Sequence, residues 1–193
     1  MKIAALLLLV GVVVVGVWLL VQSRRPAMPA ASPGGGKADP AVFKGLRKQA
    51  LETARPAFGL PQPSAPTQPW AILMETGMGD YCVTVLAVTD GTASIYLSNG
   101  GGFIGGGERF EAIRTAAKAM VEAGNQLRSH LIATTNYPLP APGETVFYAR
   151  TDAGVLTAKA NEEELGAGNH GLSPLFFAGQ NVITQYRLNV MDK

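Results

Sequence analysis

Six glycines crowd eight positions in Gly100-Gly101-Gly102-Phe103-Ile104-Gly105-Gly106-Gly107. Gly100 to Gly105 matches G-x-G-x-x-G between a strand-like run and a helix-like run. A loop of this kind at a helix start can turn backbone N–H groups towards a phosphate. The candidate ligand-binding residues are therefore Gly100, Gly101, Gly102, Gly105, Gly106 and Gly107. Three features set the loop apart from nucleotide-binding fingerprints. The run before it belongs to a hairpin rather than a βαβ unit, and no Lys-Ser/Thr pair follows. Glu108 and Glu111 also place negative charge where an anion would sit, although they suit the helix dipole. The alternative role for these glycines is conformational, permitting positive φ and close backbone packing.

His170 is the other candidate ligand-binding residue. It lies in Gly168-Asn169-His170-Gly171-Leu172-Ser173, where a His and a Ser on a Gly-flanked loop suit acid–base or nucleophilic work. There is no G-x-S-x-G elbow, and chain proximity does not make a triad. Hydrogen bonding to the local backbone is the simpler role for His170. His130 reads as a complement to the C-terminal dipole of a long helix. Cys82, the single cysteine, reads as a small buried hydrophobe. Glu162, Glu163 and Glu164 read as a solvated helix start. No catalytic set, metal site or cofactor is expected, and an enzyme centred on His170 is the weakest of the function classes.

The elements that position these residues follow from pattern. Trp70 to Thr76, Tyr81 to Thr89 and Thr92 to Leu97 read as three strands, the last two joined by the hairpin signal Asp90-Gly91. Glu108 opens a helix whose apolar residues Phe110, Ile113, Ala117, Met120, Val121, Leu127 and Leu131 recur every three or four positions. Glu144 to Arg150 and Val155 to Ala160 form a second hairpin. Asn161 with Glu164 fits a capping box, and Pro174 starts a last helix. The fold class is α+β, β-β-β-α-β-β-α, most simply one antiparallel sheet with helices packed on a face.

Three segments are expected: an anchor over 1–25, a linker over 26–69 and the α+β domain over 70–193. Ile3 to Val21 are nineteen consecutive uncharged residues, all Ala, Leu, Ile, Val, Gly or Trp. As a helix they span about 28 Å, near the thickness of a hydrocarbon core. A cleaved signal peptide has a shorter apolar region and a small-x-small site. The expectation is an uncleaved single-pass anchor with the lipid bilayer as its partner. Arg24, Arg25 and the basic residues beyond outnumber Lys2, which favours a cytoplasmic domain. The opposite orientation stays open.

Nine of the thirteen prolines fall between Pro26 and Pro69. Within that linker Asp39-Pro40 looks like a helix start, and Val42, Phe43, Leu46, Ala50 and Leu51 make an apolar side on a short helix near 40–55. It can lie on lipid headgroups, bind a partner groove or pack on the domain. Residues 1–69 carry eight Lys/Arg against two acids, a net +6, and residues 70–193 eight against twelve, a net −4. With an overall charge of +2, nucleic acid is not expected as a partner. The reading that follows is a membrane-anchored, non-catalytic domain with a protein partner. The alternative is a small-ligand or phosphate sensor using the Gly100–Gly107 loop.

Overall fold

The computed structural model of the chain describes residues 40–191. The expected anchor over 1–25 and the first part of the linker lie outside the described residues. Among the described residues no helix is long and apolar enough to cross a membrane.

Seven antiparallel strands form one sheet. They are β1 (Ala71–Met78), β2 (Tyr81–Val88), β3 (Ala93–Leu97), β4 (Gly102–Ile104), β5 (Ile132–Thr134), β6 (Glu144–Thr151) and β7 (Gly154–Asn161), in the order β4-β3-β2-β1-β6-β7-β5. The helices are α1 (Pro40–Glu52), α2 (Gly106–Arg109), α3 (Glu111–Gln126), α4 (Glu162–Gly166) and α5 (Ser173–Tyr186). The domain is α+β, as the element pattern implies.

β1 lies at the centre, paired to β2 on one side and β6 on the other. Side chains alternate between the faces of a strand, so its residues divide between two cores. Ile72 and Met74 join α3 and α5 through Ile113, Ala117, Met120, Leu175 and Val182. Ala71 and Leu73 join Phe43, Leu46, Ala50 and Leu51 of α1. Helices therefore cover both faces of the sheet rather than one. The linker helix packs on the domain, the third of the fates open to an amphipathic helix there.

Three arginines fasten α1 and the chain after it. The Arg47 guanidinium donates through Nε and Nη2 to the Glu75 carboxylate of β1, at 2.8 and 2.7 Å. Arg150 of β6 donates to the Ala50 and Thr53 carbonyls at the C-terminal end of α1, at 2.8 and 2.9 Å. These are carbonyls that a helix end leaves without intrahelical partners. Arg150 also lies 4.8 Å over the Trp70 ring. Further along, Arg55 pairs with Asp152 at 2.9 Å.

The sequence pattern does not show two short edge strands that the structure has. β4 takes up part of the glycine loop, pairing Ser94 with Ile104 and Tyr96 with Gly102. β5 follows the long helix and pairs only with β7. The helix expected from Glu108 is interrupted. Glu108 lies in the single turn α2, Phe110 is extended at φ −125°, and α3 starts at Glu111. Leu127 and Leu131 lie beyond the end of α3, so they continue its apolar side without being helical residues of it.

Candidate functional site

The glycine loop sits against the C-terminal end of α5. Three of its six glycine amides, those of Gly100, Gly105 and Gly106, are engaged inside the protein. Gly100 N–H donates to the Leu97 carbonyl at 2.9 Å, Gly105 N–H to Ala93 at 3.0 Å and Glu108 N–H to Gly105 at 3.0 Å. Gly106 N–H donates to the Tyr186 hydroxyl at 2.9 Å, and that hydroxyl donates in turn to the Ala93 carbonyl at 2.6 Å. Tyr186 thus ties the loop, β3 and the last helix together from a buried position. Burial raises its phenol above the ordinary range, so it stays a donor.

Two kinds of constraint explain the glycines. Gly102 and Gly105 have φ of 149° and 71°, values an L side chain rarely adopts. Gly106 and Gly107 are ordinary in φ but closely approached: a Cβ would meet the Tyr186 ring at Gly106 and the Gly91 carbonyl at Gly107. Gly105 isolates the conformational part, because nothing lies within 4 Å of a Cβ built there. Gly105→Ala is therefore expected to lower stability by about 1–2 kcal/mol, the cost of holding an L residue in the left-handed region. Chemical denaturation of the variant checks this. An unchanged midpoint would mean the loop relaxes freely.

His170 lies at the opposite end of α5 from the loop. Ser173 to Tyr186 spans about 20 Å as a helix, so the structure does not bring His170 and the glycines together. His170 Nδ1 accepts from the Leu172 N–H at 3.1 Å. The Ser173 hydroxyl accepts from the His170 N–H at 3.3 Å, and the Ser173 N–H donates to the His170 carbonyl at 2.9 Å. Both side chains thus organise the start of α5. The imidazole proton belongs on Nε2 in this arrangement. His130 lies in a single turn after α3, its ring beside Gly171. Asn161 Oδ1 accepts from the Glu163 and Glu164 amides at 2.8 and 3.3 Å and caps α4. Among the described residues no group of three His, Cys, Asp or Glu could hold a metal ion.

The most polar buried constellation is one that motif reasoning passes over. Glu75 is fully buried on β1 and receives the Arg47 fork together with the Thr84 hydroxyl at 2.9 Å. Arg47 Nη2 also donates to the Tyr137 carbonyl at 2.9 Å. Tyr148 lies with its ring 5.8 Å below the guanidinium and donates to Pro138 at 2.6 Å. Cys82 shares this side of the sheet. Burial first, and then the Glu75 charge, push its thiol up to about 12, so it is not a nucleophile at neutral pH. The single signal for this cluster is a carboxylate inside the apolar run Ala71-Ile-Leu-Met-Glu75, which must find a partner if the strand is central.

Comparison of the chain with protein-family models, with curated proteins and with solved structures finds no match.

Proposed function

We propose that the chain is a single-pass membrane protein whose α+β domain binds a protein partner close to the bilayer, without catalysis. The observation that supports this most directly is the fastening of α1 to the sheet through Arg47–Glu75 and Arg150. It makes residues 40–52 an integral part of the domain, and in this reading residues 22–39 serve as the tether. Eighteen residues reach at most about 60 Å when fully extended. A domain held so close meets membrane-associated partners at raised effective concentration. Phe177 in the first half of α5 and Leu188 beyond its end, 47% and 61% exposed, leave apolar surface for such contacts. The engaged amides of Gly100, Gly105 and Gly106 and the local bonding of His170 support binding over phosphate capture or catalysis.

The test is expression of the 193-residue chain with a photo-crosslinking residue at Phe177 or Leu188. The protein is expected in the carbonate-washed membrane fraction with Met1 or Lys2 as its first residue, and to form discrete protein adducts. A mature start between Ala27 and Ser32 would overturn the anchor. Absence of any protein adduct from either position would overturn the partner.

A further inference from the structure

We propose that the open groove at the β5 edge of the sheet is a binding site for a carboxylate joined to a short apolar body. The groove holds about 560 Å³ and runs between the chain at Thr67, Arg128 after α3, and the β5–β7 ladder. That volume lies in the range of small-molecule sites. Ala133 and Leu156, paired across β5 and β7 on one face, supply apolar surface, and Thr135 brings a hydroxyl to the lining, the Thr134 hydroxyl being tied to the Asn136 backbone. Arg128 is the one charged side chain among the lining residues.

The state of that guanidinium defines the chemistry. Nη1 donates to the Thr67 carbonyl and hydroxyl, both at 3.3 Å, which orients the plane. Among the described residues Nε and Nη2 make no hydrogen bond, and no carboxylate forms an ion pair with Arg128. These two N–H groups form the side-on fork that matches the two oxygens of a carboxylate. Asp152, in the turn between β6 and β7, does not fill this role because Arg55 holds its carboxylate at 2.9 and 3.1 Å. A guanidinium with two free donors on the lining of a groove that also holds Ala133 and Leu156 suits a planar anion with a few carbons behind it. The carboxylate can belong to a free acid or to a chain terminus.

The experiment is NMR of the whole 193-residue chain with its arginine side chains labelled, titrated with acetate, butyrate and hexanoate. The expected result is saturable movement of the Arg128 Nε–H resonance, with affinity rising up to about fourfold per added methylene. Hexanamide, the neutral counterpart, should leave that resonance in place. Arg128→Lys, which lacks the fork, should weaken hexanoate binding at least about tenfold while the remaining spectrum stays that of the folded protein. N-acetyl-trivaline with a free carboxylate, compared with its amide, distinguishes a chain terminus from a free acid as the source. The proposal is overturned if hexanoate moves nothing saturably, if hexanamide or inorganic phosphate binds as well, or if Arg128→Lys binds hexanoate unchanged. The hexanamide comparison uses the unaltered chain, so it decides the matter even if the variant fails to fold. None of these outcomes touches the crosslinking result at Phe177 and Leu188.

Discussion

A chain cut back to residues 70–193 is expected to aggregate or to melt without a cooperative transition, whereas residues 40–193 melt in one step. The cut removes Phe43, Leu46, Leu51 and Leu60, each less than a tenth exposed. Burying one such side chain contributes roughly 1.5–3 kcal/mol, so four contribute on the order of 6–12 kcal/mol. That is comparable with the whole stability of an ordinary domain. It also bares Leu73, Leu86, Tyr96 and Tyr148 on the sheet, a contiguous apolar face of the kind that drives association. Calorimetry and size exclusion on the two fragments check the expectation. A cooperative transition in 70–193 near the temperature of the longer fragment would show that α1 is an accessory.

Arg47→Ala should destabilise the domain by about 3–5 kcal/mol, far more than loss of an exposed ion pair. The cause is the residue left behind. Glu75 has no solvent exposure, and without Arg47 it keeps one neutral donor, the Thr84 hydroxyl. Replacing both members with leucine removes charge and partner together and should recover most of that loss. Urea denaturation of the two single variants and the double variant checks this. Additive losses in the double variant would mean that the pair is not coupled and that Arg47 acts through Tyr137 and Tyr148 alone.

Much of the domain is legible in the sequence because its turns carry their own chemistry. Asp90-Gly91 marks the β2–β3 hairpin, Asn161 marks the start of α4, and Pro174 lies at the second residue of α5. What is not legible has physical reasons. An amphipathic side such as Phe43, Leu46 and Ala50 looks the same whether it meets lipid, a partner or a sheet, and its real counterpart is 28 to 100 residues away. β4 and β5 are three residues long, too short for an alternating pattern to register. The helix break at Phe110 has neither Gly nor Pro on it, so no breaker residue marks it in the sequence. The groove around Arg128 joins residues from four separate stretches, so no spacing announces it.

The position of α1 in the chain also sets an order of events during synthesis. α1 leaves the ribosome early, but the arginine that caps its carbonyls is Arg150, 100 residues after Ala50. Translation at about 5–20 residues per second puts an interval of roughly 5–20 s between the two. Through that interval Phe43, Leu46 and Leu51 have no completed surface to settle on, because β6 is not yet made. The nascent chain therefore carries an amphipathic helix whose apolar side must be shielded, by the membrane, by a chaperone or by its own linker, until β6 arrives.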